Sequence, residues 1–264
     1  MTQRTPFSSL LALDRVVKRG SRLPFIHCPI APFSPPALPF LMPGFPAAGV
    51  FCRDGPPSLL HFHNHDVFAA DDAAASLPSP PASSSSLARR RKRVALSLYD
   101  LDCTLIRPKS GYKFPRGADD WMWWHRDVPK RLRADVAAGR HVIVLTNQNV
   151  HGRMLRDWKD KIRMIAHEID DVPIRVFAAL DRDKYRKPNI GMLEYLLRMY
   201  AERGWEVDLK QSFFVGDAAG RAGDHSSDDR NMAHNANLHF RTPEYHFSQP
   251  FPRPKTSDEV ISPR

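Results

Sequence analysis

The sequence predicts an α/β protein built on a doubly wound parallel sheet and preceded by a disordered leader. Three observations carry this. From Val94 onward, short apolar runs alternate with segments of helical periodicity. Several of those runs stop at an acidic or hydroxyl residue, namely Asp100, Thr146 and Asp217. Before Val94 the composition is different: 14 of the 24 prolines lie there, and 11 basic residues face only 5 acidic ones.

Residues 1–93 read as a leader that ends in a basic cluster. Its prolines and the serine run Ser83–Ser86 leave too little regular apolar surface to offset chain entropy. Leu23–Cys52 carries no charged residue, but its eight prolines exclude a continuous membrane-spanning helix. His61, His63 and His65 alternate in this stretch and are expected in a solvated linker. Arg89–Arg93 is a block of five basic residues that fits a nuclear-import signal or a phosphate-binding strip. Nuclear localisation is therefore expected, with a mitochondrial presequence as the alternative because the first residues are Arg-rich and acid-poor.

The folded part is expected over residues 94–247. Val94–Tyr99 is the first strand. Val128, Leu132 and Val136 mark a helix face stopped by Gly139. His141–Leu145 is the second strand, and Leu155, Trp158, Ile162, Ile165 and Ile169 stripe a long amphipathic helix. Ile174–Ala178 is the third strand. Pro188 suits the first turn of a helix whose apolar face is Met192, Leu193, Leu196, Leu197 and Tyr200. Ser212–Val215 is the fourth strand and Asn237–Phe240 a fifth. Residues 248–264 read as a flexible tail.

The 264 residues hold 39 Lys and Arg against 29 Asp and Glu, a net charge of +10 that leans towards polyanionic partners. The three cysteines, Cys28, Cys52 and Cys103, are odd in number and widely spaced, so neither a disulfide framework nor a zinc site is indicated.

In an open parallel sheet, ligands bind outside the carboxyl ends of the strands. That rule gathers Asp100, Thr146 and Asp217, with Asp102 two residues from Asp100 and Lys187 in a loop before a helix. The set suits phosphoryl transfer. One carboxylate attacks phosphorus, a second carboxyl moves protons, and oxygen ligands hold Mg²⁺. A lysine and a hydroxyl balance the charge on the phosphoryl oxygens.

These residues sit in DLDCTLI (Asp100–Ile106), LTNQ (Leu145–Gln148), YRKP (Tyr185–Pro188) and FVGDAAGR (Phe214–Arg221), which resemble the four motifs of the haloacid dehalogenase phosphatases. The flanks KSGYKFP (Lys109–Pro115), Asp120-Trp121, VPKRLR (Val128–Arg133), RKPNIGM (Arg186–Met192), DHSSDDR (Asp224–Arg230) and TPEYHF (Thr242–Phe247) resemble the phosphatase domain of polynucleotide kinase 3′-phosphatases. The resemblance implies a Rossmann-like sheet with a minimal cap. It implies Asp100 as nucleophile, Asp102 as general acid/base, Thr146 and Lys187 on the phosphate, and Asp100, Asp102 (by its carbonyl) and Asp217 on Mg²⁺. Asp224 is implied in the outer shell. Lys109, Lys113, Asn147, Arg186 and Arg221 flank the motifs and are expected to meet the substrate strand. Trp121, Trp123 and Trp124 are expected mainly as packing rings, with base stacking as the lesser role.

The substrate so implied is DNA with a 3′-phosphate end, in strand-break repair, acted on by a monomer with repair partners unidentified. The alternatives are a small-molecule sugar-phosphate phosphatase of the same superfamily and a non-catalytic DNA-end-binding protein. No Gly-Lys pair exists in the chain, so no phosphate loop of the kinase type is present and no 5′-kinase activity is expected. Two departures from the family are visible. Cys103 stands where relatives have glycine, which strains the turn if the position needs positive φ. A thiol beside the nucleophile is also expected to make the enzyme oxidation-sensitive. The basic insertion that follows the GDAAGR motif in relatives is shortened here.

Overall fold

A computed structural model of the protein describes residues 49–52, 55–68 and 92–249. The described chain runs β1 (Val50–Cys52), β2 (Leu59–His63), β3 (Lys92–Tyr99), β4 (Ile106–Arg107), β5 (Met122–Trp123), α1 (Val128–Ala137), β6 (Arg140–Asn147), α2 (Gly152–Glu168), β7 (Ile174–Ala179), α3 (Gly191–Glu202), β8 (Trp205–Val207), β9 (Phe213–Val215), α4 (Asp228–Asn235), β10 (His239–Arg241) and α5 (Pro243–Ser248).

The strands form one mostly parallel sheet in the order β1-β2-β7-β6-β3-β9-β10, with β8 pairing the start of β3. β3, β6, β7, β9 and β10 all run the same way. Their carboxyl ends therefore share one edge, which is what brings residues distant in sequence together. Side chains alternate across each strand, so the sheet has two apolar faces. Tyr99, Val142, Val144, Val176 and Val215 face α1 and α2 through Leu132, Trp158, Ile162 and Ile165. Leu96, Leu98, Ile143, Leu145 and Phe177 face α3 and α4 through Met192, Leu196, Tyr200 and Met232. Each such side chain, once buried, contributes about 1.5–3 kcal/mol of transfer free energy. This is a Rossmann-like α/β fold. The excursion between β3 and α1 contains only the short β4–β5 hairpin. Among the described residues, no helix is long and apolar enough to cross a membrane.

The helices end for local reasons. After α1, Gly139 takes φ 73° and its N–H returns to Val136 O at 2.8 Å, closing the last turn. α3 begins at Gly191 rather than at Pro188, because Lys187 is held in a loop by contacts described below.

The expectation of a disordered leader through residue 93 fails in the segments that the structure describes. β2 pairs antiparallel with β7, from Leu59 opposite Ala179 to His63 opposite Arg175, and β1 pairs with β2. The expectation of solvated histidines fails for His61, while His63 is half-buried and His65 exposed. His61 is buried, its ring stacked on Phe177 at 4.5 Å, and it receives a hydrogen bond from Arg175 at 3.0 Å. Two polar histidines inside a five-residue strand hide its apolar character from a pattern search. The proline run, the serine run, Arg89–Arg91 and the tail from Pro250 lie outside the described residues. Of the basic block, Arg93 is paired with Glu206 at 3.5 Å and Asp208 at 3.3 Å, and Lys92 lies over the Trp205 ring.

Candidate active site

Asp100 follows directly on β3, which lies between β6 and β9. Its N–H donates to Val215 O at 2.8 Å, which fixes the residue beside the end of β9. The next residues make a tight turn in which Leu105 N and Ile106 N both donate to Leu101 O, at 2.9 and 3.0 Å, and Cys103 N donates to Ile106 O at 2.7 Å. Cys103 occupies this turn at φ 59°. The position does require the left-handed backbone conformation, so the side chain strains a site suited to glycine. Desolvation in the crowded turn, together with Asp217, Asp102 and Asp100, pushes the Cys103 thiol up to about 11. It is protonated at neutral pH, which removes the reason to expect a reactive thiolate.

Asp100, Asp217 and Asp229 converge, each offering a carboxylate oxygen within 4.8 Å of the others. Lys187 Nζ reaches Asp100 Oδ1 at 2.6 Å and Asp229 Oδ1 at 2.7 Å, with its side chain 2% exposed. Burial pushes the Asp100 carboxyl well up. Lys187 opposes this, and Asp229 and Asp217 add to it. Asp217 is likewise raised, by burial first and then by Asp229. Burial opposes the Lys187 ammonium, but Asp100 and Asp229 outweigh it and hold its pKa above the ordinary value. One lysine therefore faces three crowded carboxylates, a set of hard oxygen donors that fits a divalent cation such as Mg²⁺.

Around this centre, Thr104 Oγ1 accepts from Asp217 N at 3.1 Å. Gln148 Nε2 donates to Asp102 Oδ2 at 2.7 Å and to Thr146 Oγ1 at 3.0 Å, tying the end of β6 to the turn after β3. Asn147 grips the main chain of Lys187 from both sides, receiving its N–H at 2.8 Å and donating to its carbonyl at 3.0 Å. Asn147 thus holds the lysine loop and is not free for a substrate strand. Arg186 Nη1 donates to Gln148 O at 3.1 Å.

One expectation is corrected and one site residue is added. The third acidic group of the cluster is Asp229, on the first turn of α4, which was not among the expected ligands. Asp224, expected in the outer shell, accepts from Ala219 N at 3.1 Å and Arg221 N at 2.9 Å, and Arg221 pulls its carboxyl down to about 2. It staples the loop after β9. Arg221 is spent on that role: it pairs with Asp224 at 3.0 Å and Glu244 at 3.1 Å and donates to Asp217 O at 3.3 Å. Lys109 is exposed and paired with Asp119 at 3.7 Å, and Lys113 lies over the exposed Phe114 ring at 5.6 Å. Trp121 is buried, while Trp123 and Trp124 pack against the core. Gln148, Thr104 and Asp229 join the site although the sequence pattern does not single them out, and each lies in a motif or flank quoted above.

The family model described as "Polynucleotide kinase 3 phosphatase" matches residues 95–247. A bifunctional polynucleotide phosphatase/kinase of Schizosaccharomyces pombe is 40% identical over 152 residues, covering 56% of this chain and 36% of that protein. The polynucleotide 3′-phosphatase ZDP of Arabidopsis thaliana is 33% identical over 151 residues, covering 50% of this chain and 21% of that protein. The chain thus spans about a third or less of the length of these two relatives. A crystal structure of D,D-heptose 1,7-bisphosphate phosphatase from B. bronchiseptica, complexed with magnesium and phosphate, aligns at 19% identity and TM-score 0.42, covering 61% of this chain and 90% of that one. By the match over residues 95–247, the chain belongs to the polynucleotide kinase 3 phosphatase family.

Proposed function

We propose that the protein hydrolyses the phosphate from the 3′ end of DNA, in strand-break repair and in the nucleus. The observation that carries this is the convergence of Asp100, Lys187, Asp217 and Asp229 at the carboxyl edge of the sheet, in a chain of this family.

The Asp100 carboxylate attacks phosphorus while the bond to the 3′ oxygen breaks, giving an aspartyl phosphate. Asp102 gives its proton to that oxygen, and the strand leaves with a 3′-hydroxyl. Asp102, now a carboxylate, takes a proton from water as the water oxygen attacks phosphorus. The bond to Asp100 breaks, and inorganic phosphate leaves. The hydrogen bond from Gln148 aims Asp102 for both transfers. Lys187 and the Thr146 hydroxyl balance charge on the non-bridging oxygens. Asp100, Asp217, Asp229 and the Asp102 carbonyl would hold Mg²⁺, which when bound supplies the positive charge that lets an anionic carboxylate meet an anionic phosphate. The chain has no Gly-Lys pair, and no 5′-kinase activity is expected from it.

The test is phosphate release from a 3′-phosphorylated oligonucleotide by wild type and Asp100→Asn, with Mg²⁺ and with chelator. Activity is expected only in the wild type with metal. Turnover of hexose or heptose phosphates in preference to the oligonucleotide would assign the protein to small metabolites instead.

A further inference from the structure

Ser58 lies upstream of the family-matched residues, in the turn that enters β2. Because β2 runs against β7, its first residue Leu59 stands opposite Ala179, the last residue of β7. Ser58 is thereby delivered to the edge of the sheet where the catalytic groups collect. Its hydroxyl donates to Asp183 Oδ2 at 2.5 Å, and its carbonyl accepts from Leu180 N at 2.8 Å. Both partners belong to the segment joining β7 to α3, which carries Lys187.

Asp183 organises that segment. Its second carboxylate oxygen accepts from Tyr185 N at 2.9 Å, and its carbonyl accepts from Arg186 N at 3.2 Å and Asn189 Nδ2 at 3.0 Å. The Tyr185 ring is buried in the core face that α3 covers. The lysine loop is thus held at two places. Asn147 holds Lys187 itself, and Asp183 holds the turn just before it. The geometry points to Ser58 as a positioning residue for Lys187, acting through Asp183. The strand pair ahead of the family-matched region is then part of the support of the phosphate site. A small drift of this loop would break both short contacts of Lys187 at once, because they diverge to two carboxylates on different elements.

This inference rests on Lys187 as the group that neutralises the phosphate. The test is the affinity of the full chain for inorganic phosphate in the presence of Mg²⁺, by isothermal titration calorimetry, which needs no knowledge of the substrate. Ser58→Ala is expected to weaken binding roughly three- to tenfold, the scale of a hydrogen bond to a charged group felt at one remove. Ser58→Thr, which keeps the hydroxyl, is expected to restore it. In a Lys187→Ala background, Ser58→Ala is expected to cost nothing further. Unchanged affinity in Ser58→Ala, or an equal loss with and without Lys187, overturns the role while leaving Lys187 on the phosphate. Wild-type affinity in Lys187→Ala overturns the reading of Lys187, and the role of Ser58 falls with it.

Discussion

A β-carbon on Gly216 would stand 2.3 Å from Asp229 Oδ2. The carboxylate of Asp229 lies against bare backbone just before Asp217, where it accepts from Ala218 N at 3.1 Å and turns its other oxygen to Lys187 at 2.7 Å. No side chain fits between, so glycine is required here for close approach rather than for its dihedral freedom.

Gly216→Ala is therefore expected to push Asp229 out of the cluster. Phosphatase activity should fall on the order of 10²-fold, the scale of an ångström misplacement in a catalytic array. The Mg²⁺ concentration for half-maximal activity should rise. Steady-state rates across a Mg²⁺ titration measure both, and an unchanged titration midpoint would show that Asp229 does not serve the metal.

Lys187 is the counter-charge for two buried carboxylates, Asp100 and Asp229, at 2.6 and 2.7 Å. Lys187→Met keeps most of the side-chain volume and removes the charge. Without metal the variant should lose about 3–5 kcal/mol of stability, the cost of leaving buried charge uncompensated. Added Mg²⁺ should recover more stability in the variant than in the wild type, because the cation then supplies the missing positive charge. Urea unfolding with chelator and with Mg²⁺ gives the comparison.

Cys103 holds φ 59°, a conformation that costs a side-chain-bearing residue about 1–2 kcal/mol. Glycine removes that cost but gains freedom in the unfolded chain, which takes back about half of it. Cys103→Gly is expected to be more stable by about 0.5–1 kcal/mol, read from the denaturation midpoint. Brief peroxide treatment in chelator should leave wild type and variant equally active at neutral pH, since burial and the neighbouring carboxylates push the thiol up to about 11.

The strands β3, β6, β7, β9 and β10 and the helices α1, α2 and α3 were legible from apolar runs or helical stripes, whereas β8, α4 and α5 are too short or too polar to show a period. β6 and α2 are the clearest cases, the one a continuous apolar run ending at a polar stop and the other a helical stripe. The candidate site residues Asp100, Thr146 and Asp217 were legible for the same reason: they sit at or just past the ends of β3, β6 and β9. What escaped was set by tertiary contact. β2 is five residues long, with His61 and His63 inside it, and is a strand because β7 offers an unpaired edge. Asp229 joins the cluster because its carboxylate faces Gly216, and the acidic stretch around it does not single it out. The drain on Arg221 by Asp224 and Glu244 joins the β9 loop to α5, which no local pattern announces.

Three buried histidines make the fold less stable in acid. Burial first, and then Arg175, lowers His61 to about 3; burial and Arg175 lower His141 to about 4; burial and Arg131 lower His246 to about 3. All three are neutral in the folded protein and titrate near 6.5 once unfolded. Their contribution to stability is thus complete above about pH 6.5, and it is lost as the pH falls from there towards the folded values. For a histidine moved from 6.5 to 3, the loss at pH 5 is about 2 kcal/mol. His61→Gln keeps an acceptor for Arg175 and cannot be protonated. It is expected to lose about 2 kcal/mol less than the wild type between pH 7 and pH 5, measured by urea unfolding at the two pH values in chelator. The difference between the two proteins cancels the opposite trend from Asp100 and Asp217, whose raised carboxyls gain stability as the pH falls. Parallel losses in both proteins would mean that His61 is not the buried neutral group that docks β2 on the sheet.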